Sequence, residues 1–114
     1  MMAPDDRQFL LTAAWLFARH GQSARARVLC EALVEADPTD GLSAAALAEC
    51  LLADSEPEAA LRTLSAARFP KALDRAEAIL ETRALHMLGR RGEAARRWAR
   101  YVDASRGAKR SWVS

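Results

Sequence analysis

The sequence predicts an all-α protein, and three observations lead to that prediction. The chain has 114 residues, with 26 Ala and 15 Leu against four Val and one Ile. Ala, Leu, Arg and Glu favour helices, whereas strands favour β-branched and aromatic residues. Residues of similar size also recur at a step of 34 along the chain. We therefore expect a single domain of paired helices over residues 1–114.

The 34-residue step runs through three copies. It joins six columns of residues: Gly21/Ser55/Gly89, Ala14/Ala48/Thr82, Ala26/Ala60/Ala94, Phe17/Leu51/Leu85, Cys30/Leu64/Trp98 and Leu33/Ala67/Tyr101. The small residues would let two helices approach closely, and the large ones would fill the space between helix hairpins. The repeats are predicted at 7–40, 41–74 and 75–108, with 109–114 as a tail.

Six helices follow from the apolar periodicity and the turn signals. They are expected at about 6–20, 23–36, 40–53, 57–68, 72–88 and 92–106. Gly21 and Gly89 allow the left-handed backbone that ends the first helix of a pair, and Ser55 replaces that glycine in the second repeat. The second repeat ends early at Phe69-Pro70, so its junction with the third is expected to be irregular.

The C-terminal part of the chain is basic. Residues 83–110 carry nine basic and two acidic side chains, although the net charge of the whole chain is +2. We prefer a solvated flank of the last helix, formed by Arg96, Arg97 and Arg100, because the last helix of a stack has no neighbour on its outer side. An acidic protein partner is the alternative. Nucleic acid is the least favoured reading, since Trp98 and Tyr101 fall in core columns.

The tail adds one open question. Residues 107–114 are expected to fray, and Trp112 is expected either to pack loosely or to await a partner.

Patterns typical of catalysis are missing from the sequence. No metal-ligand spacing joins His20, Cys30, Cys50 and His86, and no phosphate-binding loop or nucleophile motif is present. The two cysteines are expected to stay reduced. We therefore expect no enzyme activity, no metal and no cofactor. No apolar run approaches the roughly 20 residues of a membrane span, and no signal peptide is expected.

A period of 34 is that of the tetratricopeptide repeat, and the chain resembles that family over roughly Arg7–Ala108. The resemblance implies three helix hairpins stacked as a short right-handed solenoid. The first helix of each pair would then line a concave groove that binds polypeptides. Helical spacing places nine residues in that groove: Leu11, Trp15, Arg19, Glu49, Leu52, Ile79, Arg83, His86 and Met87. The alternative for Trp15 is a core position in the first hairpin.

A closer resemblance lies in the first repeat. Phe9-Leu10-Leu11, Trp15-Leu16, Gly21, Arg25-Ala26, Leu29, Ala32-Leu33 and Pro38 are similar to the opening of the YscY-type chaperones of bacterial type III secretion. This resemblance implies a cytosolic bacterial virulence chaperone without ATPase activity. Its partners would be a small secreted component of the export apparatus, the X-type protein, held as a heterodimer, and the cytosolic domain of the export gate.

Two functional hypotheses remain open at this point. The first is a secretion chaperone whose groove keeps a secreted partner soluble and export-competent. The second is a general scaffold that bridges two protein partners, with the basic last helix as one contact. Three repeats are near the minimum for an independent solenoid, so we expect the unbound chain to be marginally stable or to self-associate through its apolar groove, and to gain stability by binding.

Overall fold

The computed structural model describes the backbone of residues 3–113 and the side chains of residues 3 and 5–107. Within that range the chain is all-helical, as predicted, with six α-helices and no strand. The helices are α1 (Pro4–Arg19), α2 (Ser23–Ala36), α3 (Gly41–Ala53), α4 (Pro57–Ala66), α5 (Asp74–Met87) and α6 (Arg91–Val113). None of them combines the length and the hydropathy needed to cross a bilayer in the described part of the chain.

The helix boundaries lie close to the predicted ones except at the C-terminus. Helix α4 ends at Ala66, and a 3-10 turn over Lys71–Leu73 precedes α5, which confirms the irregular junction after the second repeat. Helix α6 continues to Val113, so the prediction that the chain frays from Gly107 onward is wrong for the backbone. The reason is that a single glycine costs a helix only about 1 kcal/mol, and no proline follows it. The side chain of Trp112 lies outside the described residues.

The turns inside the three helix pairs share one backbone geometry. Gly21, Ser55 and Gly89 have φ angles of 75°, 60° and 77°, which confirms the left-handed backbone predicted for the two glycines. In each turn the next amide donates to a carbonyl five residues back: Gln22 to Phe17 at 2.8 Å, Glu56 to Leu51 at 2.8 Å, and Arg90 to Leu85 at 2.9 Å. This hydrogen bond closes the helix end in the Schellman manner. The 34-residue step is thus visible in the backbone.

Consecutive helices pack against each other, from α1 with α2 through to α5 with α6, and α3 also packs against α5. The short turns make the members of each pair antiparallel. Ala26, Ala60 and Ala94 are all buried, as expected of small residues where two helices meet. The tetratricopeptide arrangement and its handedness stay predictions.

The connections that follow α2 and α4 contact each other. The amide of Arg68 donates to the carbonyl of Thr39 at 2.8 Å, in an isolated bridge between residues 40 and 68. A Cβ atom on Gly41 would lie 2.7 Å from the Arg68 carbonyl oxygen, so only glycine fits at the start of α3. These contacts fix the first repeat's connection against the second's.

The last hairpin leaves part of its core column uncovered. Cys30 and Leu64 are 2% and 1% exposed, but the equivalent Trp98 is 38% exposed, which corrects its assignment to the core. No further hairpin covers Trp98 in the described chain. Its ring instead lies 5.2 Å from that of Tyr101, which is half-buried.

Candidate protein-binding surfaces

Trp15, one of the predicted groove residues, lies on the surface rather than in the core. Its side chain is 57% exposed. The guanidinium of Arg19, one helical turn further along α1, stacks over the indole ring at 4.8 Å from its centroid. Such a cation–π contact holds a large aromatic side chain in place at the surface. Trp15 and Arg19 therefore form a pre-oriented apolar and cationic pair.

Glu49 and Arg83 occupy the positions equivalent to Trp15 in α3 and α5, and the structure brings them together. The Arg83 guanidinium donates to both carboxylate oxygens of Glu49, at 3.0 and 3.1 Å. Both side chains are about half exposed. An exposed pair of this kind contributes little to stability, so a ligand could exchange into it at small cost.

The remaining predicted groove residues divide into three groups. Leu11 and Ile79 are half-buried, so each presents only part of its side chain. Met87 is 46% exposed near the end of α5, and His86 beside it is exposed. Leu52 is 3% exposed and belongs to the main apolar cluster, which corrects its assignment to the groove surface.

The burial of Leu52 has a geometric reason. Its equivalents at the 34-residue step are Ala18 and His86, and His86 lines a groove on the open side of the last hairpin. Ala18 and His86 are both exposed, so this position is covered only in the second repeat. In that repeat α5 packs against α3, and Leu52 joins the main apolar cluster together with Leu80 and Ala84 of α5.

The groove beside His86 was not predicted from the sequence. It lies between α5 and α6 and has a volume of about 520 Å³. Its lining is mostly apolar and includes Thr82, Ala94, Ala95, Trp98, Ala99 and Val102. The equivalent positions in the first two repeats, such as Cys30 and Leu64, are buried. The missed signal was that core columns need a following hairpin to cover them.

A second missed surface is the outer face of α1. Phe9 and Leu16 are 71% and 44% exposed. The equivalent residues of α3 are Ser43, which is buried, and Cys50, which is half-buried. The first helix has no preceding hairpin to pack against in the described chain. An exposed pair of large apolar side chains is typical of an interaction surface.

The basic flank of α6 is partly neutralised within the chain. Arg97 donates to Glu81 of α5 at 3.0 Å and lies 4.0 Å from Glu77, and its side chain is only 14% exposed. This corrects the expectation that Arg97 belongs to a solvated flank. Arg96 and Arg100 are exposed, as expected. Burial, together with the neighbouring Glu81, raises the pKa of Glu77.

The two cysteines lie together between α2 and α3. A hydrogen bond to Cys50, together with burial, raises the pKa of the Cys30 thiol. Protonated thiols are poor nucleophiles and poor metal ligands, so Cys30 acts as a small apolar core residue. No group of three or more His, Cys, Asp or Glu side chains is arranged for a metal ion among the described residues.

The fold and these surfaces define an all-helical chain with exposed apolar side chains on more than one side. No protein-family model matches the chain, and no curated protein matches it significantly.

Proposed function

We propose that the chain is a protein-binding module of the tetratricopeptide type, and that it acts without catalysis. The observation that carries the proposal is the exposure of Trp15 with Arg19 stacked on it. Tryptophan and arginine are the residue types most often found as energetic centres of protein interfaces. The binding face is formed by the first helices of the three pairs and is defined here by Trp15, Arg19, Glu49, Arg83 and Met87.

The chemistry of this binding face favours one kind of ligand. Trp15 on α1 and Met87 on α5 supply apolar anchors, and the Glu49–Arg83 pair supplies polar groups on α3 and α5. A polypeptide segment that presents both apolar and polar side chains matches this set of residues. An amphipathic helix or an extended segment would satisfy it.

We propose, more specifically, a cytosolic chaperone of bacterial type III secretion. The support is the resemblance of the first repeat to YscY-type chaperones, which includes Trp15-Leu16 and Gly21. In this role the chain binds a small X-type secreted protein as a heterodimer, keeps it export-competent and docks to the cytosolic domain of the export gate. The exposed Trp15 would then contact an apolar segment of the secreted partner.

The general scaffold remains the alternative, and salt separates the two hypotheses. A complex held by the basic flank of α6 should weaken steeply between low and moderate ionic strength. An apolar complex at the binding face should not. The internal pairing of Arg97 with Glu81 leaves less charge on that flank and favours the chaperone.

Co-expression with a small secreted protein encoded in the same operon tests the proposal. The wild-type chain should co-purify with it, and the variant Trp15→Ala with Met87→Glu should not. Val28→Ala is the matched control, because Val28 is 66% exposed and lies outside the binding face. Co-purification that is unchanged by the double variant, or absent for the wild type, would refute the chaperone proposal.

A further inference from the structure

The junction between the first two hairpins shows which residues join a helix to the hairpin before it. Arg7 and Arg27 of the first hairpin hydrogen-bond to Ser43 and Asp54, and Cys50 of α3 packs against the apolar cluster that contains Cys30. Arg7 also forms an ion pair with Asp40, which precedes α3. The docking face of α3 therefore carries Ser43, Cys50 and Asp54.

The same face of α1 lies one repeat earlier and is uncovered. Counting back 34 residues from the docking face of α3 gives Phe9, Leu16 and His20. All three side chains are exposed, and the first two are large and apolar. Helix α1 thus presents a docking face without a hairpin beneath it in the described chain.

The positions of the first hairpin that contact α3 have equivalents in the last hairpin. Counting forward 68 residues from Arg7, Arg27 and Cys30 gives Arg75, Ala95 and Trp98. Ala95 and Trp98 line the open groove between α5 and α6. At the middle junction the equivalent apolar pair is Leu64 with Ala84, and both residues are buried. The last hairpin thus has the surface on which a following helix would pack, and no helix packs on that surface among the described residues.

The charges of the two surfaces also match. The equivalent of the Arg7–Asp40 ion pair at the open end would join Arg75 to Asp6 of another molecule. Asp6 and Arg75 are both exposed, and neither has an ion-pair partner among the described side chains. Complementary charges at the edge of an apolar contact favour one register over others.

We propose that the open groove between α5 and α6 binds α1 of a second copy of the chain. Leu16 of that copy covers Trp98, and its Asp6 pairs with Arg75. The contact continues the internal junctions from one molecule to the next, and it does not involve the binding face of the proposed function. Because the two surfaces differ, the association is head to tail and can extend beyond two copies.

Sedimentation velocity over a range of protein concentrations tests this proposal. The wild-type chain should form species larger than a monomer as its concentration rises. Leu16→Glu and Trp98→Glu should each be monomeric, because each places a carboxylate in an apolar contact. Val28→Glu, which changes an equally exposed apolar residue of α2, should associate like the wild type.

Mixing the two monomeric variants gives the decisive observation. Each retains the surface that the other has lost, so a one-to-one mixture should form a dimer and nothing larger. A two-fold dimer through α1 alone would persist in Trp98→Glu, and that outcome would refute the head-to-tail contact. A wild type that stays monomeric at all concentrations, or a mixture that stays monomeric, would also refute it.

A charge exchange tests the contact without touching the apolar residues. Asp6→Arg and Arg75→Asp should each weaken association, and their mixture should restore it at the interface where the two reversed charges meet. Circular dichroism of each variant confirms that the helices are intact. Ala95→Glu replaces Trp98→Glu if the latter fails to fold, because Ala95 is exposed in the same groove. Failure of the exchange to restore association would contradict the proposed register.

Discussion

At the residue scale, Ser55 is a position where the fold strains the backbone. It is the only non-glycine residue with a positive φ in the described backbone, at 60°. Its equivalents Gly21 and Gly89 adopt the same geometry without a Cβ atom. A left-handed backbone costs other residues roughly 1–2 kcal/mol. The second turn therefore keeps its shape because the surrounding hairpin imposes it.

Ser55→Gly should stabilise the chain by about 0.5–1 kcal/mol, because the relief of strain exceeds the extra freedom of glycine in the unfolded state. Thermal unfolding should show a midpoint a few degrees higher. Ser105→Gly is the control, since Ser105 lies within α6 and glycine there should lower stability by roughly 0.5–1 kcal/mol. A Ser55→Gly variant that is less stable than the wild type would contradict the account of the turn.

Glu77 gives a prediction about pH. Burial and the neighbouring Glu81 raise its pKa, so the folded state holds this proton more tightly than the unfolded chain does. Stability from this group is therefore present below the ordinary glutamate pKa of about 4.3 and is lost as the pH rises through the folded value.

Glu77→Gln removes the buried charge and should raise stability at pH 7, with a smaller gain at pH 4. Urea unfolding at the two pH values measures the difference. An equal gain at both values would contradict a raised pKa, and a loss at pH 7 would show that the Arg97 ion pair outweighs the burial of the carboxylate.

At the element scale, the junction between repeats depends on close contact between two connections. Gly41 begins α3 directly against the Arg68 carbonyl and the Phe69 ring. Gly41→Ala should lower the free energy of unfolding by about 1–3 kcal/mol, because a methyl group cannot fit without moving the second connection.

Gly107→Ala provides the matched control for that substitution. Gly107 lies within α6, and a Cβ atom there would meet no atom within 4 Å. This change should leave stability unchanged or raise it by up to about 1 kcal/mol. Equal effects of the two substitutions in urea unfolding would contradict the close approach at Gly41.

The sequence predicted the helices better than it predicted which faces are covered. Helix α2 has the predicted bounds, 23–36, and the step of 34 located all three turns. The 34-residue step could not distinguish Phe9 from Ser43, because both have the same position along a helix. They differ in that a hairpin precedes α3, whereas none precedes α1 in the described chain. Trp98 was misassigned because no hairpin covers it in the described chain, and Leu52 was misassigned because α5 packs against α3. The burial of a side chain depends on whether a neighbouring hairpin covers it, and the periodic pattern of one helix does not show whether such a hairpin is present.

At the scale of the whole molecule, the proposed head-to-tail contact joins two surfaces, the outer face of α1 and the groove between α5 and α6. The exposed apolar residues Phe9, Leu16 and Trp98 lie on them. We expect the melting midpoint of the unbound chain to rise with protein concentration, since association that requires the folded state stabilises it. Calorimetry over a hundredfold concentration range measures this. A midpoint independent of concentration would contradict self-association.

The proposed binding face does not include the residues of those two surfaces, and it is the basis of the functional proposal. Site-specific photo-crosslinking tests it most directly, in the chain co-expressed with the small secreted protein from the same operon. A benzophenone amino acid at position 15 should crosslink to that partner, whereas the same group at the equally exposed position 28 should not. Crosslinking at position 28 alone, or at neither position in a complex that still co-purifies, would contradict binding through the first helices.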